Sequence, residues 1–404
     1  MTPFHYRCTD CDRTFERNAV RYLCPVCGAS YHPGMPLTGV LEVVFDAEVV
    51  RRSFNAVSPD WNLLCAVEPE FHPPLPVGNT PLVPAKRLGT GLGLPALWIK
   101  NEGANPSGSL KDRASFLVVA EALRLGETQI VTASTGNAAS ALAAVAASAA
   151  VEALIFVPET APKAKLVQMV LYGARVVPVQ GTYDDAFRLS MEYTEARGGL
   201  NRNTAYHPLT IEGKKTAGLE LWAQLGGQAP DVVVVSVGDG VILGGLHKAF
   251  VDLQRAGIIE RLPRLIGVQA ERSDAIHRYV QTGIYSDALN PSTRADSISV
   301  SCPSNAHGAR RAILESDGLT LTVTDDEILE AQARLAAGSG VFSEPAGAAA
   351  FAGLMKLQAG ANRLSATSKV VVMATGHGLK DIEAPLSRVS IPRAIPPTLE
   401  AFDQ

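Results

Sequence analysis

Short, densely apolar runs recur through most of this chain, and longer segments with helical apolar spacing lie between them. The runs at 129–133, 153–157, 175–179, 231–237, 264–270 and 369–374 have apolar side chains at successive positions, which suits parallel strands buried on both faces. The segments at 163–172, 184–196 and 325–337 repeat their apolar residues at helical intervals. That alternation predicts an α/β architecture with helices on both sheet faces. Ligands in such folds bind beyond the carboxyl ends of the strands. At 404 residues the chain is too long for one hydrophobic core, and two or three domains are expected.

Residues 1–46 stand apart. Cys8 and Cys11 form one C-x2-C pair, Cys24 and Cys27 form a second twelve residues later, and a strand-like stretch follows at 40–45. Each pair can sit on a tight turn and offer two thiolates to one tetrahedral Zn²⁺. Four cysteines leave no open coordination position, so the metal would be structural. A ribbon that has lost its metal, or a pair of disulfides, is the alternative; in a reducing compartment metal is favoured. Cys65 and Cys302 stand alone and read as small core residues. From 46 to about 76 the chain is Pro-rich and reads as an irregular connector.

The net charge of −4 provides no basic field for nucleic acid or an anionic membrane surface, so neither is expected as a partner. A small anionic substrate would need a few local cations instead. The Ala-rich stretch at 138–153 is short, Ser-broken and weakly hydrophobic, which favours a buried helix over a membrane span. The opening MTPFHYRCTD has no apolar core behind a basic end, so a cytoplasmic location is expected.

Four motifs fall where strands should end. In Asn105-Pro-Ser-Gly-Ser-Leu-Lys111 a turn of small residues precedes a lysine at a helix start. The positive potential there disfavours an ammonium, as a Schiff-base lysine requires; a surface lysine after a turn is the bland alternative. Ser134-Thr135-Gly136-Asn137 opens the Ala-rich helix, and its N–H groups can cradle a carboxylate, although polar residues also cap helices for structural reasons alone. Gly238-Asp239-Gly240-Val241-Ile242 follows the most apolar run and lets backbone N–H groups approach a phosphate; it is neither a Walker loop nor a dinucleotide fingerprint. Thr375, in Ala-Thr-Gly-His-Gly-Leu-Lys-Asp381, places a neutral hydroxyl beyond the last run.

Together, NPSGSLKDRAS, STGNAAS and TGHGLKD resemble the tryptophan-synthase-type enzymes that use pyridoxal 5′-phosphate, and within them the threonine synthase family. VGNTPLV at 77–83, EGKKT at 212–216, SEPAGAAA at 343–350 and the cysteine ribbon support the likeness. The resemblance implies two doubly wound open-sheet domains, a large one from 47–114 and 208–404 and a small one at 115–207, behind the ribbon. It further implies conversion of O-phospho-L-homoserine and water to L-threonine and phosphate, in a homodimer. A sister activity, serine/threonine ammonia-lyase or a cysteate synthase-like β-replacement, is the runner-up.

Lys111 matches the family's cofactor lysine, and Asn137 the asparagine at the cofactor's ring oxygen. Ser134, Thr135 and Gly136 match the cradle for the substrate carboxylate. Gly238, Asp239, Gly240, Val241 and Ile242 occupy the cofactor-phosphate loop, and Thr375 matches the hydroxyl at the pyridine nitrogen. Arg188 lines up with a basic residue near the substrate phosphate; it also follows Asp184 and Asp185 at ion-pairing intervals. Three positions depart from the family pattern: Ala138 in place of a threonine, Asp239 beside a phosphate, and His207 before Pro208 in place of asparagine.

Overall fold

The computed structural model describes residues 2–32, 34–55, 59–161 and 163–402. Among these residues the strands form three sheets. The first is antiparallel, in the order β2-β1-β3, and contains β1 (Phe4–Cys8), β2 (Thr14–Phe15) and β3 (Leu41–Phe45). The strand expected at 40–45 is therefore present, and a single bridge from Leu23 to Val40 extends it. The connector is less irregular than its prolines suggest. It opens with α1 (Ala47–Ser53), whose first turn is capped by the Asp46 carboxylate accepting from the N–H groups of Glu48 and Val49. Residues 56–58 of the connector lie outside the described residues.

The chain then runs through β4 (Leu82–Pro84), α2 (Lys86–Leu92), β5 (Leu97–Asn101) and α3 (Lys111–Leu125). A four-stranded parallel sheet follows: β6 (Gln129–Ala133), α4 (Asn137–Ser148), β7 (Glu152–Pro158), α5 (Lys163–Leu171), β8 (Arg175–Val179), α6 (Tyr183–Arg197) and β9 (Leu200–Asn201). After α7 (Leu209–Gln224) come β10 (Val232–Ser236), α8 (Val241–Arg255), β11 (Arg264–Ala270), α9 (Ala275–Thr282) and α10 (Ala306–Glu315). β12 (Leu319–Val323), α11 (Asp325–Ser339), α12 (Pro345–Ala359) and β13 (Val370–Ala374) complete the second sheet. All six apolar runs are strands. The Ala-rich stretch forms the buried α4 as far as Ser148, its last residues turning into β7, and among the described residues no helix is long and apolar enough to cross a membrane.

The large sheet has the order β12-β11-β10-β13-β5-β4, parallel except for β4 at the edge. The apolar runs are continuous because both faces of this sheet are covered. Val233 and Val235 of β10 enter one core, while Val232 and Val234 enter another. Strand order reverses between β10 and β13, and in the small sheet (β8-β7-β6-β9) it reverses at β6. The carboxyl ends of those three strands are the switch points where a ligand crevice opens. The loops at 237–241, 374–378 and 134–137 occupy them.

Candidate active site

Lys111 begins α3 directly after the Asn105–Leu110 turn, which Gly108 closes at φ 89°. That turn is stitched to the loop after β13: Leu110 N–H donates to the Thr375 carbonyl at 2.9 Å and His377 N–H to the Gly108 carbonyl at 2.8 Å. Lysine and threonine are thus held together by backbone. The neighbours of Lys111 serve structure. Asp112 accepts from the Ser107 N–H at 2.7 Å, and burial lifts its carboxyl to about 6. Arg113 is buried between Glu102 and Glu220, at 2.7 Å from each.

Lys111, Thr375 and the loop Gly238–Ile242 line one inner cavity of ≈ 70 Å³. Burial pushes the Lys111 ammonium below the ordinary lysine range; Glu344 and Asp239 oppose that, and Arg202 adds to it. A lysine that must act as a neutral amine needs this balance. In the loop, Gly240 caps α8 at φ 80°, and a Cβ there would lie 2.7 Å from Ala309 Cβ and 2.9 Å from the Asn305 carbonyl. Asp239 does not point its charge into the cradle unopposed. Its carboxylate accepts from the Ser304 N–H and hydroxyl, both at 3.3 Å. The Ser236 hydroxyl, at the end of β10 and on the wall of the same cavity, is buried without a hydrogen-bond partner. A glycine-lined helix N-terminus with an unsatisfied hydroxyl, beside a lysine whose ammonium form is disfavoured by burial, fits a phosphate-bearing aldehyde cofactor.

A larger cavity of ≈ 540 Å³ adjoins it, walled by Thr135, Gly136 and Asn137 from the small sheet and by Glu344 and Lys380 from the large one. Ser134 stands one step back, its hydroxyl accepting from the Gly136 N–H at 3.2 Å. The Asn137 amide donates to both Glu344 carboxylate oxygens, at 2.8 and 3.0 Å. Burial raises the Glu344 carboxyl above its ordinary range, and the charge of Lys111 draws it back. Lys380 donates to the Ser107 carbonyl at 2.9 Å, the Ser140 hydroxyl at 3.0 Å and the Gln168 side-chain oxygen at 2.9 Å.

Arg188 is placed elsewhere. It lies on an exposed face of α6, 2.8 Å from Glu192 and 3.5 Å from Asp185, and it lines neither cavity. Its role here is surface ion pairing, and the position expected for it at a substrate phosphate is corrected accordingly. Besides Lys111, the cations that do face the cavities are Lys380 and Lys165, the latter paired with Asp296, in the larger one and Lys214 in the inner one, with Arg202 a buried positive neighbour of Lys111 and Lys214. The motifs of Lys380 and Lys214, TGHGLKD and EGKKT, were visible in the sequence, as was SEPAGAAA with Glu344. Spacing alone gives no sign of which charged residue in each motif turns inward.

At the other end of the chain the thiols of Cys8, Cys11, Cys24 and Cys27 lie within 4.8 Å of one another, and all four are free. The 3.9 Å between Cys11 Sγ and Cys24 Sγ is close to the roughly 3.8 Å edge of a tetrahedron with metal–sulfur bonds of about 2.3 Å. The donor set fits one Zn²⁺.

Residues 74–376 match the family of pyridoxal-phosphate dependent enzymes. A threonine synthase from Methanosarcina acetivorans is 33% identical over 99% of this chain and 98% of its own. One from Methanocaldococcus jannaschii is 35% identical over 94% and 93%. Among solved structures, a T.th. threonine deaminase superposes with a TM-score of 0.63 at 28% identity, covering 74% of this chain and 92% of that one. The processed threonine deaminase isoform 2 of Solanum lycopersicum, at 24% identity and a TM-score of 0.67, covers 78% and 88% and shares the fold.

Proposed function

The chain belongs to the threonine synthase family of pyridoxal-phosphate dependent enzymes, and we propose that it converts O-phospho-L-homoserine and water to L-threonine and phosphate. The observation that carries this reading is the pairing of a phosphate-accepting crevice around Lys111 with a second, cation-bearing cavity beside it. When bound, pyridoxal phosphate supplies an aldehyde that captures amines and a ring that withdraws electron pairs from neighbouring carbons. Gly238, Asp239, Gly240, Val241 and Ile242 present the loop and helix N-terminus that would take its phosphate. Asn137 would turn to its ring oxygen, and Thr375 would face its ring nitrogen with a hydroxyl that shares a proton without giving it up.

The protein's own groups then divide the work. Thr135 and Gly136, with Asn137, offer the N–H groups of the α4 terminus to the substrate carboxylate, and Ser134 braces that turn. Lys111 Nζ, whose ammonium form burial disfavours, takes the proton from the substrate Cα and later returns one. Glu344 is an acidic neighbour whose charge is felt at Lys111, so its carboxyl can hold a proton that the amine gives up. Lys380 supplies the positive charge that a γ-phosphate dianion requires on leaving water. Cys8, Cys11, Cys24 and Cys27 hold one structural Zn²⁺, away from this chemistry.

The test is phosphate release from O-phosphohomoserine by the purified protein, with serine, threonine and O-phosphoserine as competing substrates. Stoichiometric phosphate and threonine are expected. Deamination of serine or threonine with no phosphate release from O-phosphohomoserine would hand the reading to the ammonia-lyases.

A further inference from the structure

The EGKKT motif puts two lysines side by side on α7, and the fold treats them in opposite ways. Lys215 is buried and fully matched, at 2.5 Å from Glu212 and 3.1 Å from Asp252. Lys214 is equally buried, with 3% of its surface exposed, yet among the described residues it has no carboxylate within ion-pairing distance. Among the described residues its side chain donates from Nζ to the Thr204 hydroxyl, at 2.9 Å. The lysine reaches this position because α8 is glycine where it crosses α7: a Cβ on Gly245 would lie 2.8 Å from Lys214 Cβ.

Lys214 lines the inner cavity together with the loop of α8 and Ser236, whose buried hydroxyl is unpartnered. The charges around it do not cancel. Arg202 and Lys111 are positive neighbours, and burial together with these two drives the ammonium well below its ordinary range. Asp239 is the acidic neighbour, but its carboxylate is already engaged by Ser304. An isolated ion left in this position would cost several kcal/mol, so the site is built for an anion that arrives from outside the chain.

We infer that Lys214 is the counter-ion of the cofactor's phosphate, with the Ser236 hydroxyl as a second donor, and that it offsets the carboxylate of Asp239 in the phosphate loop. The inference rests on the reading that pyridoxal phosphate binds in this cavity. A glycine loop on a helix N-terminus provides only partial charge, and a dianion next to Asp239 needs a full one. Arg202, whose guanidinium is buried with one nitrogen unpartnered, reinforces the field without lining the cavity.

The experiment compares pyridoxal phosphate with pyridoxal, which lacks the phosphate, in titrations of the full chain stripped of cofactor. Wild type should strongly prefer the phosphorylated compound. Lys214→Met should weaken pyridoxal phosphate binding by roughly tenfold to a hundredfold, the size of one charge-assisted contact, and should change pyridoxal binding less than about threefold. Cofactor-free Lys214→Met should also unfold at or above the wild-type temperature, because methionine fills the same buried space without an amine to desolvate. A lysine that merely supported the fold would lower that temperature and affect both ligands alike. If the methionine variant does not fold, Lys214→Gln is read in the same way. Ser236→Ala should cost about threefold to tenfold with the phosphorylated compound only. An unchanged preference for the phosphate in both Lys214 variants overturns the inference alone. A wild-type chain that binds neither compound overturns the cofactor reading and the inference with it.

Discussion

An ammonium removed from water must either find an anion or lose its proton more easily, and the lysines around the two cavities show both outcomes. Lys215, surrounded by Glu212 and Asp252, is held above its ordinary range despite its burial. Lys111 and Lys380 are held below theirs, burial outweighing Glu344 in each case. The acceptors of Lys380 are all neutral, so its charge remains available to a ligand, whereas that of Arg188 is spent on Asp185 and Glu192 at the surface. The two side chains should therefore separate in kinetics. Lys380→Met is expected to lower kcat/KM for O-phosphohomoserine by roughly tenfold to a hundredfold, a charged hydrogen bond of about 1.5–3 kcal/mol. Arg188→Ala should leave it within about twofold, since exposed helical pairs contribute only tenths of a kcal/mol. Equal losses in both variants would return Arg188 to the site.

At the scale of elements, α7 ties the active-site sheet to the ribbon. His207, just ahead of the helix, accepts from the Leu209 N–H through Nδ1 at 3.2 Å and meets the ribbon's Tyr22 ring edge-on at 5.8 Å. Histidine in place of asparagine thus keeps the acceptor at the helix start and adds an aromatic contact. Burial holds this imidazole down at about 4, whereas an unfolded histidine takes its proton near 6.5. Between those values the unfolded chain binds more protons, so the contribution is complete above about pH 6.5 and is lost as pH falls toward about 4, by up to about 3 kcal/mol. Melting curves across that window should be flatter in His207→Asn than in wild type; identical slopes would exclude His207 as the titrating group. The elements that were hard to read share a physical cause. β5 has only three apolar residues before Lys100, which is buried against Glu220, and β12 alternates threonine with leucine at a half-buried edge, so neither gave a continuous apolar run. Buried β10 and β13 did. The loops at the switch points were legible because glycine, serine and threonine leave a distinctive pattern after a strand. The inward turn of Lys214, Lys380 and Glu344 was not, because it depends on which helix faces are covered by other elements.

In the whole molecule the ribbon packs directly on the large sheet's helices, Tyr6, Leu41, Val43 and Phe45 sharing one core with Leu219, Trp222, Leu246 and Phe250. Its sheet is too small to stabilise itself through apolar burial, and among the described residues it has no disulfide to compensate. Charged anchors hold it: Arg17 reaches Glu68 at 2.8 Å and Glu121 at 3.1 Å, and Arg311 reaches Glu42 at 3.1 Å. The Phe45 ring lies over Lys215 Nζ at 4.3 Å. Leu37 N–H donates to the carbonyl of Ser304, the residue that engages Asp239 in the phosphate loop. These contacts require the turns carrying Cys8, Cys11, Cys24 and Cys27 to keep their shape, which is what a tetrahedral metal would secure. Removing it should unfold the ribbon locally, lower the melting temperature by at least a few degrees, and leave the cofactor bound, because Lys111 and the loop of α8 belong to separate elements. Metal analysis of Cys8→Ser and of the Cys8→Ser, Cys24→Ser double variant should show zinc lost while the pyridoxal absorbance persists. Stoichiometric zinc in the double variant would rule out the four-thiolate site. Loss of cofactor in step with zinc would instead show that the path from Leu37 through Ser304 to Asp239 carries the phosphate loop.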